Sequence, residues 1–195
     1  VTGGTGLIGR QIVKILCNAK ANVKVVSLDN IVVDGRAEYV KADLTDLNVC
    51  KQVTNGIDYV FHIAGIKGSI DVTKSKPASF FVPLLMFNTN ILEASRINDV
   101  KKLVYTSSIG AYSSAEVFME TENREGSPMD LYPGWAKRMA ELQITAYKEQ
   151  YGLDLEKYAR EKGINLDVKG GKPIEQALTP GYRNTLLKNL GNSFS

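Results

Sequence analysis

Along the 195-residue chain, short runs rich in β-branched residues alternate with longer stretches whose apolar residues recur at helical spacing. Residues 6–20 carry Leu7, Ile8, Ile12, Val13, Ile15 and Leu16, which predicts a helix with these side chains on its buried side. "ANVKVVSLD" (21–29) predicts a Val-rich strand, "AEYVKADLTD" (37–46) a second that ends in acidic and hydroxyl residues, and "GIDYVFHIAG" (56–65) a third. A helix is expected over 84–99, a fourth strand over "KKLVYTSS" (101–108) and a long helix over 134–150. Residues 66–79 and 113–130 read as loops. Strands separated by helices in regular order predict βαβ units and a parallel sheet covered on both faces. In such sheets ligands sit at the loops that follow the strand C-termini.

The opening stretch "VTGGTGLIGRQIV" spaces Gly3, Gly6 and Gly9 by three residues at the start of the first predicted helix. Glycine permits the tight turn, lets backbone N–H groups approach a pyrophosphate and allows the helix to pack closely on a strand. The helix N-terminus adds partial positive charge there, so Gly3, Gly6, Leu7, Ile8 and Gly9 are the expected phosphate-side residues. Asp29 ends the next strand, where a carboxylate can accept both hydroxyls of a ribose. An acid at that point repels a 2′-phosphate, which favours NAD over NADP. Only Val1 stands before the glycine turn, where several apolar strand residues are expected. The expectation is therefore an α/β, Rossmann-type doubly wound parallel sheet lacking most of its first strand, cut from a longer chain.

Composition narrows the setting. The 44% hydrophobic and 23% charged residues are those of a soluble globular domain. No apolar run reaches the roughly 20 residues of a membrane span. Two cysteines, Cys17 and Cys50, make no disulfide framework, and with no secretory pattern the expected compartment is the cytoplasm. The net charge of +3 arises wholly in residues 155–195, with 7 basic against 4 acidic side chains, too little for a nucleic-acid footprint. No cluster suggests a metal site.

The pieces "TGGTGLIG", "LDN" (28–30), "ADLTD" (42–46), "VFHIAGIKGS" (60–69), "NTNILEAS" (88–95), "KKLVYTSSIGAY" (101–112) and "WAKRMAELQITAYKEQYG" (135–152) occur in one order. Together they resemble the extended short-chain dehydrogenase/reductases, the NAD-dependent nucleotide-sugar epimerase/dehydratase family. "HIAGIK" is similar to UDP-galactose 4-epimerase-like members and the "AKRMAELQ" region to GDP-fucose synthase-like ones. The resemblance implies that Asp29 and Asn30 hold the adenosine ribose, and that Asp43 and Leu44 flank the adenine. It also implies that Ile63, Ala64, Gly65, Lys67 and Thr106 line the cofactor, with Ser107 beside it. His62, the only histidine, lies in an apolar strand and is read as structural.

The family's chemistry exchanges a proton with a sugar hydroxyl while a hydride moves to or from the nicotinamide. A tyrosine four residues before a lysine serves it, the lysine favouring the phenolate and bonding the nicotinamide ribose. The resemblance assigns Lys137 to the lysine and Ser108 to the group that orients the substrate oxygen. The tyrosine position is Pro133. Tyr132 is the neighbouring candidate, with an extended chain expected at the helix entry, and Tyr112 is a further one. A packing ring is the alternative reading of Tyr132, and packing is the expected role of Trp135. Leu84, after Pro83, stands where the family often has Asn, and Ile109 where GDP-fucose synthase has its cysteine.

Residues 1–154 are thus expected to form the dinucleotide-binding domain, and 155–195 an α/β tail that does not match the family's substrate lobe. Two functions stay open. One is an oxidoreductase, epimerase or dehydratase acting on a nucleotide sugar, with a homodimer implied by the resemblance. The other is a dinucleotide-binding module, or truncated homologue, without turnover.

Overall fold

The computed structural model describes residues 1–66, 68, 70–114 and 126–152. The expectations for Lys67, for most of the 113–130 loop and for the 155–195 tail therefore lie outside the described residues. Four short strands, β1 (Lys24–Ser27), β2 (Glu38–Lys41), β3 (Tyr59–His62) and β4 (Lys102–Tyr105), all pair in parallel. β1 pairs with β2 and β3 with β4, and Thr2 joins the pairs by bridging Val26 on one side and His62 on the other. Val26 N–H donates to Val1 O, Thr2 N–H to Phe61 O and Gly3 N–H to Val26 O, at 2.8–2.9 Å. The residues before the glycine turn thus sit mid-sheet, as the doubly wound order requires.

Adjacent strand residues point to opposite faces, and the core divides accordingly. Val25 packs with Val13, Leu16 and Cys17 of α1 (Gly9–Asn18). Val26, Val60 and Leu103 face the other way, beneath α2 (Leu47–Thr54), α4 (Pro77–Ile97) and α5 (Leu131–Tyr151). Both faces are therefore covered, as the alternating pattern predicted.

Several elements differ from expectation. α1 starts at Gly9, not at residue 6, and Leu7 and Ile8 are 77% and 57% exposed rather than buried. They belong to the turn that feeds the helix, where the helical period does not yet apply. α2 was not anticipated, although Asp46 caps it by accepting from Asn48 N–H at 2.7 Å. The 66–79 region holds a short helix, α3 (Ile70–Ser75), and the start of α4. Pro83 lies inside α4, and the carbonyl it leaves without an amide partner belongs to Ser79, an exposed residue that water can serve.

α5 begins at Leu131, so Tyr132 and Pro133 are helical and the chain is not extended there. Pro133 is accommodated because amides of a helix's first turn have no intrahelical acceptor. Gly134 allows that turn to approach the 3-10 turn Ile109–Ala111: a Cβ on it would strike the Gly110 carbonyl and lie 2.5 Å from Pro128 Cβ.

Candidate active site

The glycine turn leaves the sheet at its C-terminal end and is closed by Gly6 N–H donating to Gly3 O at 3.1 Å. Gly3 has φ +66°, and a Cβ on it would stand 2.8 Å from Ala64 Cα. A Cβ on Gly9 would collide with the Gly3 carbonyl oxygen and lie 2.7 Å from Gly4 Cα. Among the described residues no acceptor is bonded to the Leu7 and Ile8 amides, which precede α1. Asp29 faces this turn from the end of β1. Its Oδ2 accepts from Thr5 Oγ1 at 2.9 Å and its Oδ1 from Ile31 N–H at 3.0 Å. The Ile31 amide, then the Thr5 and Ser27 hydroxyls, hold its carboxyl below the usual range. Asn30 beside it is exposed, and exposed Leu28, Ile31 and Val32 give the carboxylate an apolar rim.

Asp43 closes its own turn, Oδ1 accepting from Thr45 N–H and Oγ1 at 2.9 Å each. Leu44 places its side chain in the core, and its carbonyl is held by Asn90 Nδ2 at 3.1 Å. Ile63, Ala64 and Gly65 continue from β3 over the end of the sheet, opposite the glycine turn.

A buried polar chain ties these segments together. Ala64 N–H donates to Thr2 Oγ1 at 3.3 Å, and Thr2 Oγ1 meets His62 Nδ1 at 2.7 Å. His62 Nε2 lies 2.9 Å from Asn88 Oδ1, and Asn88 Nδ2 donates to the Tyr105 hydroxyl at 3.4 Å. A carbonyl oxygen can only accept, so Nε2 carries the ring proton and Nδ1 accepts from Thr2. Burial pushes the His62 pKa down to about 3, against the opposing effect of the Asn88 bond, with the Lys137 charge lowering it further. His62 is therefore a neutral structural imidazole, as expected, and its partner Asn88 is a residue that sequence reasoning did not single out.

At the end of β4, Lys137 Nζ donates to Thr106 O at 2.9 Å and stands 4.7 Å above the Tyr105 ring. Thr106 N–H bonds His62 O at 3.2 Å, and exposed Ser107 and Ser108 follow. Ser108 caps the 3-10 turn, its Oγ accepting from Gly110 N–H at 3.2 Å. Lys137, Thr106 and Ser108 are thus brought to one corner. Tyr132 is directed elsewhere, its ring 5.9 Å from that of Phe81 on α4. Arg138, also unanticipated, is buried and binds Ala111 O, Gly126 O and Ser113 Oγ, fixing α5 against the loop after β4.

The model of the NAD-dependent epimerase/dehydratase family matches residues 1–155. The chain belongs to that family. A Methanocaldococcus jannaschii protein named "Putative UDP-glucose 4-epimerase" is 30% identical over 97% of this chain and 63% of its own length. The UDP-glucose 4-epimerase of Thermus thermophilus, solved with NAD, superposes with TM-score 0.69 and 26% identity. The match covers 79% of this chain and 51% of that one. The Thermotoga maritima UDP-glucose 4-epimerase, solved with UDP-glucose, gives 0.68 and 27%, covering 79% and 52%. This epimerase/dehydratase-family chain therefore spans about half to two thirds the length of these relatives. Its residues fit a dinucleotide: a turn that admits no Cβ at Gly3 or Gly9, two unbonded amides, and a fixed carboxylate within an apolar rim.

Proposed function

We propose that this chain binds NAD and, with it, oxidises or reduces a sugar carbon of a nucleotide sugar, as an epimerase, dehydratase or reductase. The observation that carries the reading is the placement of two half-sites at one end of a parallel sheet. The glycine turn with Asp29 stands on one side, and Lys137 with Thr106 and Ser108 on the other. Gly3, Gly6, Leu7, Ile8 and Gly9 would hold the pyrophosphate, Asp29 and Asn30 the adenosine ribose, and Asp43 with the Leu44 backbone the adenine side. Ile63, Ala64, Gly65, Lys67 and Thr106 would line the nicotinamide half, with Lys137 on its ribose. The nicotinamide supplies hydride acceptance and donation when bound. Ser108 orients the substrate oxygen, and Asp29 selects against a 2′-phosphate by charge repulsion.

NADH titration followed by fluorescence tests the reading. Losing a charged acceptor for two ribose hydroxyls should weaken NADH by about 10–100-fold in Asp29→Ala. Equal affinity in both proteins, or no binding by the folded wild type, would count against it. A second reading, a dinucleotide module without turnover, is favoured by Pro133 standing one turn before Lys137 and by Tyr132 packing on Phe81. It expects the same NADH binding and no conversion of UDP-glucose or GDP-mannose to another sugar nucleotide with NAD present. A homodimer through α4 and α5 belongs to the first reading, supported by exposed Val82, Met86, Met139 and Leu142. Sedimentation as a monomer at micromolar concentration would exclude it.

A further inference from the structure

We propose that Lys137 Nζ itself, and not a tyrosine hydroxyl, exchanges the proton with the substrate oxygen that Ser108 orients. This deepens the reading above and rests on it, since it presumes a sugar hydroxyl and a nicotinamide dinucleotide at the same site.

Among the described residues, the geometry sets aside Pro133, Tyr132, Tyr105 and His62 as sources of the proton. One helical turn before Lys137, α5 presents the ring of Pro133, which has no proton to give. Tyr132 is helical and lies about 140° around the axis from Lys137 at 100° per residue, with its ring against Phe81. Tyr105, on β4, lies beneath the ammonium but offers its ring face. Its hydroxyl is bonded by Asn88, and burial pushes its pKa up. On β3, His62 has both nitrogens engaged and is held neutral. From α4, the uncharged Asn88 meets the Tyr105 hydroxyl.

The Lys137 amine stands at the end of β4, where Ser108 follows. Lys137 Nζ has one protein acceptor, the Thr106 carbonyl, and no carboxylate pairs with it among the described residues. Burial moves its pKa down to about 8, so amine and ammonium are both populated in mildly alkaline solution. An acid–base group works best with its pKa near the working pH. In the oxidative direction the sugar O–H proton passes to the neutral Nζ, the C–H electron pair leaves as hydride, and a carbonyl forms. The oxidant is the nicotinamide dinucleotide, reduced in the same event. In the reductive direction the ammonium returns the proton. A lysine paired with tyrosine needs only its positive charge; a lysine acting alone must be able to lose it.

Arginine separates these roles, because it keeps the charge and donors but does not deprotonate in this range. The full chain and its Lys137→Arg variant are titrated with NADH. Lysines are then dimethylated with 13C-formaldehyde, and their methyl shifts followed against pH with NADH present, Lys137 being the resonance missing from the variant. Conversion of UDP-glucose and of GDP-mannose to new sugar-nucleotide products, with NAD present, is followed by 1H NMR from pH 6 to 10. The proposal expects a Lys137 midpoint near 8 and a wild-type rate rising through the same pH. It expects Lys137→Arg, which keeps a charged donor for the ribose, to retain saturable NADH binding while losing about 100-fold or more of the rate. A Lys137 midpoint in the ordinary lysine range, or an arginine variant that retains the rate, overturns it and leaves the dinucleotide reading intact. A wild type that binds NADH but turns over neither sugar also overturns it; one that binds no NADH overturns both.

Discussion

Replacing Gly9 by Ala is expected to abolish saturable NADH binding and to cost about 1–3 kcal/mol of stability by overpacking. The added methyl has no free space. It would overlap the Gly3 carbonyl oxygen and press on Gly4 Cα at 2.7 Å, and both contacts are backbone, which no rotamer change relieves. The turn would have to open, moving the Leu7 and Ile8 amides and separating Thr5 from Asp29 Oδ2, 2.9 Å away. Cofactor affinity should therefore suffer more than stability, since α1 can keep Val13, Leu16 and Cys17 in the core while the turn is displaced. Gly35→Ala is the control, because nothing lies within 4 Å of its added Cβ. Denaturant melts and NADH fluorescence read both effects. A Gly9→Ala chain that binds NADH like the wild type would show that the turn can open without cost, and that these amides do not form the cradle.

The strands, their parallel order and the glycine turn were legible because β-branched runs and glycine spacing are local signals. Boundaries were less so wherever a local rule met a tertiary exception. α4 was expected from residue 84, yet it starts at Pro77 and runs through Pro83, because the carbonyl that this proline orphans belongs to exposed Ser79. Leu7 and Ile8 were counted into a helical stripe by hydrophobicity, and they stand exposed at the turn instead. Asp29, Lys137, Thr106 and Ser108 were found by motif, and the fold gathers them at one end of the sheet. Asn88 opens the piece "NTNILEAS", but its role was hidden: polar residues in helices are usually solvated, and nothing local says that this one meets His62, 26 positions earlier. Tyr132 shows the reverse case. Its neighbour Pro133 suggested an extended entry, but helix α5 already includes both, and the ring faces Phe81.

Lowering the pH from 7 to 5 is expected to cost about 2 kcal/mol of stability through His62 alone. In the unfolded chain this imidazole titrates near its ordinary 6.5, whereas burial holds it down to about 3 in the folded state. The folded form is therefore the poorer proton binder. The stability that His62 contributes is complete above about pH 6.5, falls as the unfolded state takes up its proton, and is fully lost only below the folded value. The carboxylates whose pKa is lowered, Asp29, Asp34 and Glu93, add to the loss only at lower pH, whereas the buried Val1 amino group, held down to about 5, adds a loss of its own within this window. Protonation would put a second proton on Nδ1, facing Thr2 Oγ1, which must then turn its own hydroxyl away while a charge is buried beside the Lys137 ammonium. Thr2 precedes the glycine turn and also holds Ala64 N–H, so acid should loosen the cofactor corner as the fold weakens. As the sole histidine, His62 gives NMR signals that need no assignment by mutation. They should show a neutral ring protonated at Nε2 throughout this range, while denaturant melts show the loss. A ring that titrates near 6.5 in the folded protein, or stability flat from pH 7 to 5, would mean that the Thr2–His62–Asn88 chain is open to water. The buried link between the two half-sites would then be lost as an explanation of how they are held together.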